Sequence, residues 1–113
     1  MHETHVTQDI LKETLKRAEH KGAKRVVGAT IRLGELSGFM PDSIEAYFES
    51  FSRGTIAENA KLEFVPLPPT ASCRKCGADV PTKEDELRCP KCGSKDLELK
   101  SGREVYVESI EVI

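Results

Sequence analysis

The 113-residue chain has room for one compact domain, or a domain with a small appendage, but not for two full-sized ones. With 38% hydrophobic and 32% charged residues its balance is that of a globular chain, not a disordered one. A formal net charge of -2 excludes a general electrostatic pull on nucleic acid or anionic membrane, and no apolar run approaches the ~20 residues needed to span a bilayer.

The first residues, Met1-His2-Glu3-Thr4-His5, lack a basic stretch followed by an apolar core, so no secretory signal is expected. A cytosolic setting is expected instead, in which the cysteines stay reduced. Residues 4–21 read as an amphipathic helix. Val6, Ile10, Leu11, Leu15 and Ala18 share one face, while Lys12, Glu13, Lys16, Arg17 and Glu19 face water. Glu13 and Arg17 stand at i,i+4 in the favourable order, and Gly22 stops the helix, with His20 placed to complement its dipole.

Residues 24–36 read as a long strand in which Val27, Ala29, Ile31 and Leu33 alternate with Gly28, Thr30, Arg32 and Gly34. Gly34 and Gly38 predict a bulge or turn near its end. A second helix is predicted over about 42–53. Asp42 and Glu45 have capping-box spacing, and Ile44, Tyr47, Phe48 and Phe51 form an apolar stripe read as core. Lys61–Leu67 is a second strand, with Leu62 and Phe64 inward. Pro66, Pro68 and Pro69 stiffen its exit and mark a boundary.

Residues 70–95 form a polar, cysteine-bearing segment, and Leu97 and Leu99 start a short strand. Glu104 to Ile113 reads as the last strand, with Tyr106, Ile110 and Val112 on one face and Val105 and Val107 on the other. The order predicts an α+β fold: two helices on a small sheet of about three strands, with an inserted zinc-ribbon segment. Residues 1–69 plus 96–113 would form the α+β domain and 70–95 the ribbon.

Cys73-Arg-Lys-Cys76-Gly and Cys89-Pro-Lys-Cys92-Gly are two copies of one device, separated by twelve residues. A Cys-x-x-Cys turn folds two thiolates onto one metal, and the glycine after it relieves the backbone bend. Four thiolates favour Zn²⁺ and close its shell, leaving no position for a catalytic water, so the zinc is read as structural. An iron–sulfur centre and disulfides or a redox pair are the alternatives. From Cys73 to Lys95 there are six basic and four acidic residues, the acidic run Glu84-Asp85-Glu86 lies between the knuckles, and no aromatic is present to stack on a base. Nucleic-acid binding is therefore poorly supported.

His2 is the other unusual feature. A free N-terminal amine, the following amide nitrogens and the His2 imidazole can lie in one plane, which suits Ni²⁺ or Cu²⁺. This needs Met1 to remain attached, as the bulky His2 favours. Taken alone, an N-terminal histidine is more often a solvated residue. His5 is read as an exposed helical residue that could supply an extra ligand.

In these features the chain resembles the HypA/HybF family of hydrogenase nickel-insertion proteins. The resemblance rests on Met1-His2-Glu3, Ile31-Arg32-Leu33-Gly34-Glu35-Leu36-Ser37-Gly38, Gly54-Thr55-Ile56-Ala57-Glu58, the two cysteine pairs, and Val107-Glu108-Ser109-Ile110-Glu111-Val112. It implies transferable Ni²⁺ at Met1, His2 and Glu3, the last through its amide, and structural Zn²⁺ at Cys73, Cys76, Cys89 and Cys92. It further implies a metallochaperone, not an enzyme, that delivers nickel to the large subunit of a [NiFe]-hydrogenase with a HypB-type GTPase as partner. Glu3 would help dock that partner or cap the first helix. Some relatives carry histidine beside the zinc knuckles where this chain has Gly77 and Gly93. The competing reading is a zinc-ribbon adaptor that binds nucleic acid or protein without nickel.

Overall fold

The computed structural model describes residues 2–80 and 88–113, except for the side chain of His2; Met1 and the predicted acidic run Glu84-Asp85-Glu86 lie outside it. The elements are α1 (His2–His20), β1 (Val26–Gly34), α2 (Pro41–Phe51), β2 (Lys61–Leu67), β3 (Thr70–Cys73), β4 (Asp79–Val80), β5 (Leu97–Ser101) and β6 (Val105–Val112). They make two three-stranded sheets, ordered β2-β1-β6 and β4-β3-β5. In the first, β1 runs parallel to β2 and antiparallel to β6; the second is antiparallel throughout. A parallel pair needs a crossover connection, and α2 supplies it. This is the expected α+β arrangement of two helices on a three-stranded sheet with a ribbon-like appendage.

α1 starts two residues earlier than the apolar pattern suggests. Its most buried positions are Thr7, Ile10, Thr14 and Ala18, a helical spacing that includes two polar residues. Each threonine donates its hydroxyl to the carbonyl one turn back, Thr7 to Glu3 and Thr14 to Ile10, so neither buries an unmet donor. Gly22 ends the helix as predicted. Its φ is 63°, its N–H donates to Glu19 O at 3.0 Å, and the Ala23 N–H donates to Ala18 O at 3.0 Å, a Schellman closure. The Glu13–Arg17 pair forms at 2.8 Å.

α2 departs from the predicted capping box. Its N-cap is Met40, with no side-chain cap, and Pro41 occupies the first turn. The part that a third-position glutamate plays in a capping box falls to Glu3 of α1, whose carboxylate accepts the Met40 N–H at 3.2 Å. The aromatic stripe divides. Ile44 and Phe48 are buried, whereas Tyr47 is 37% exposed and stacks on Phe51 with ring centroids 5.8 Å apart.

Two bulges correct the predicted strand faces. Val26 pairs with Val112 and Gly28 with Glu111, which leaves Val27 without a β6 partner. The phase flips there: Val26 is buried and Val27 is exposed. In β6, Val107 pairs with Ile31 and Ser109 with Thr30, so Glu108 is the extra residue. Val105 and Val107 before it and Ile110 and Val112 after it therefore all face the core, and Tyr106 does not. Arg17 reaches the Glu108 carbonyl at 3.0 Å and Arg32 its carboxylate at 2.8 Å, holding the bulge from two sides. The core is built from Ile10, Ala18, Ala29, Ile31, Ile44, Phe48 and Val107, with Leu62 and Phe64 packed against it.

β5 pairs with β3, placing Leu97 opposite Cys73. The second sheet has a core of only Ala71, Cys73, Val80 and Cys89, flanked by Ala78 and Leu97. Its two connections to the main sheet run past the end of β1. The Glu35 N–H donates to Leu67 O at 3.0 Å, Gly34 N–H to Glu104 O at 2.7 Å, and Leu36 N–H to Gly102 O at 2.7 Å. The Glu104 carboxylate accepts the N–H groups of Gly102 and Arg103 at 2.7 and 3.0 Å.

Candidate metal centres

The cysteine site begins with two knuckles of the same local geometry. Gly77 N–H donates to Cys73 O and Gly93 N–H to Cys89 O, each at 2.8 Å, and both glycines have φ of 74°. That left-handed conformation is the reason each pair is followed by glycine. β3 positions Cys73 as its last residue, and Cys89 N–H is held by Ser94 O at 2.9 Å. In each knuckle the first cysteine is buried and the second exposed.

The four Sγ atoms all lie within 4.8 Å of one another, with Cys73–Cys92 at 3.5 Å and Cys76–Cys89 at 3.4 Å. A tetrahedron of sulfurs ~2.3 Å from one zinc has edges of about 3.8 Å, so the cluster matches the size of a zinc-ribbon site. The thiols also differ electrostatically. N–H groups of Cys92 and Lys91 donating to its sulfur draw Cys89 down to about 6. The Ser94 N–H pulls Cys92 down, but the sulfur of Cys73, burial and the sulfurs of Cys89 and Cys76 outweigh it and push that thiol up to about 11. Four adjacent sulfurs resist ionising together; a divalent cation would remove that penalty and displace the remaining protons. Among the described residues this is the one group of three or more such side chains close enough to share an ion.

At the other end, α1 runs from His2. Of the predicted nickel set, Met1 and the His2 side chain lie outside the described residues, and Glu3 is placed. The Glu3 carboxylate accepts the Met40 N–H at the start of α2. The residue pattern carries no signal for this link and points instead to an Asp42–Glu45 capping box. His5 and His20 are both exposed on α1, His20 in its last turn. No described helix is long and apolar enough to cross a membrane.

Comparison with known proteins agrees with this geometry. A family model described as hydrogenase/urease nickel incorporation, metallochaperone, HypA matches residues 1–112. The hydrogenase maturation factor HypA of Dehalococcoides mccartyi is 37% identical over 112 residues, covering 99% of this chain and 94% of its own. That of Geobacter metallireducens is also 37% identical and covered to 99% on both sides. Among solved structures, a solution structure of a HypA protein superposes with a TM-score of 0.81 at 24% identity, covering 100% of this chain and 97% of that one. The solution structure of the nickel metallochaperone HypA from Helicobacter pylori gives 0.77 at 23% identity, with 98% and 97% covered.

Proposed function

The chain belongs to the HypA family of nickel-incorporation metallochaperones, and from that premise we propose that it binds Ni(II) at its N-terminus and delivers it to the large subunit of a [NiFe]-hydrogenase. A HypB-type GTPase would act with it, in the cytoplasm. Nickel is cargo in this reading and zinc is structure. The observation that carries it is the family match over residues 1–112, which takes in Met1-His2-Glu3 and all four cysteines.

Cargo must be held by ligands that an acceptor can replace stepwise. A chain end offers such ligands: the Met1 amine, the His2 amide and imidazole nitrogens, and the Glu3 amide. The first amides of a helix have no intrahelical acceptor, so exchanging their protons for a metal breaks no helical hydrogen bond. The amine and imidazole have ordinary pKa values of ~7.7–8.0 and ~6.5, so binding weakens in acid. Zinc at Cys73, Cys76, Cys89 and Cys92 has the opposite character: a closed thiolate shell exchanges little and stabilises a segment with almost no apolar core. The role asks for transfer, not catalysis.

Calorimetry of untagged, zinc-loaded protein tests the assignment. His2→Ala should abolish high-affinity nickel binding with zinc content and fold intact, and so should an extension fused before Met1, which turns the amine into an amide. Unchanged nickel affinity in both would overturn the reading and favour a ribbon adaptor that carries no nickel.

A further inference from the structure

α1 carries a second set of metal-ligand side chains that the chain-end site does not use. Three of its acids can be sorted by their partners. Glu13 is tied to Arg17 at 2.8 Å, and Glu3 is engaged at Met40. Asp9 is exposed, and no described residue bonds or pairs with it. His5, also exposed, stands one turn before it on the same continuous helix, likewise without a described partner. Residues at i and i+4 have Cβ atoms only ≈ 5–6 Å apart, and this spacing lets two helical side chains chelate one ion. Asp9 also lines the groove between α1 and β6, with Val6, Ile10, Tyr106 and the Glu13–Arg17 pair.

We propose that His5 and Asp9 form a second, weaker Ni(II) site on the flank of α1, one turn along from the chain end. An imidazole nitrogen and a carboxylate oxygen are both ordinary ligands for divalent first-row ions, and nickel stands high in the affinity order. Two protein ligands leave the remaining positions to water. Nickel held there is six-coordinate and paramagnetic, unlike the diamagnetic ion of a flat four-nitrogen chelate. Its use as a holding point for arriving or departing nickel rests on the metallochaperone reading; the existence of the site does not.

The difference in spin state supplies the test. Full-length, zinc-loaded protein with a histidine-free extension before Met1 is titrated with Ni(II) and followed by ¹H–¹⁵N spectra. The amine is blocked, so the chain-end chelate is lost, and the flank site should remain. Saturable broadening centred on residues 4–10 is expected. His5→Ala and Asp9→Asn should each weaken it at least ~10-fold, the lower end of what even an outer-shell partner of a metal ligand is worth. Both positions are exposed, so the fold should hold. No broadening there, or broadening that survives both substitutions, would overturn the site. If untagged protein shows the flank signal but no diamagnetic nickel event, the chain-end reading fails and this one stands.

Discussion

Gly34→Ala tests the joint between the two sheets. An ideal Cβ at Gly34 would lie 2.3 Å from the Gly102 carbonyl oxygen, 2.6 Å from its carbon and 2.8 Å from Glu104 O, all backbone atoms. Ordinary contact starts at 3.4 Å, so the 102–104 linker would have to retreat by about 1 Å. Gly102 is itself tightly packed, since a Cβ there would meet the Pro69 Cα at 2.8 Å. Overpacking of this kind costs about 1–3 kcal/mol. Retreat would also loosen the two 2.7 Å bonds to Glu104 O and Gly102 O, each worth about 0.5–1.5 kcal/mol. The sum is roughly 2–6 kcal/mol, a large part of the ~5–15 kcal/mol that holds an ordinary domain. Urea unfolding at fixed zinc, followed by far-UV circular dichroism, should show a lower midpoint with an unchanged slope. Amide shifts should move at Leu36, Gly102 and Glu104. A loss under ~1 kcal/mol with those shifts unmoved would refute the close-packed joint.

Three further outcomes are expected. Cys89→Ser, or a strong chelator, should collapse the amide dispersion of residues 73–80 and 88–101 while α1, α2 and the β2-β1-β6 sheet survive, because the smaller sheet has only a handful of small apolar side chains; a dispersed ribbon without metal would count against structural zinc. Phe48→Ala should cost about 3–5 kcal/mol in chemical denaturation, whereas exposed Tyr47→Ala should cost far less; equal losses would mean that the stripe is not divided. The Glu104 carboxyl is held below the usual carboxylate range, first by its own N–H and that of Gly102. A depressed folded pKa contributes stability above the unfolded value of ~4.3 and loses it as pH falls through the folded one. Melting temperatures from neutral to acid pH should therefore show Glu104→Gln weaker near neutrality, with the gap closing in acid. A constant gap would reject the linkage.

Much of this molecule can be read from residue order, and the failures are instructive. Local rules worked where one residue type decides the backbone: Gly22 at a helix end, Gly77 and Gly93 after their cysteines. The two knuckles were legible because a repeated Cys-x-x-Cys followed by glycine is a strong metal-ligand signature. Strand faces depart from the alternation at Val27 and across Glu108, since a one-residue bulge reverses inside and outside and leaves no mark in the composition. Thr7 and Thr14 were missed as core because a hydroxyl satisfied by its own helix behaves as a small apolar group. The Glu3–Met40 contact spans thirty-seven residues, a tertiary link that no local pattern encodes.

Entry to the ribbon at Leu67 and exit at Glu104 are both stitched to the last residues of β1, from opposite sides. Neighbouring strands are ~4.7–4.9 Å apart, so the two ends stand only about 10 Å from each other, a gap that three or four extended residues can bridge. The metal-bearing excursion is thus a detour off a nearly closed circuit. Excising it in favour of a short bridge should leave the remaining sheet to assemble by itself.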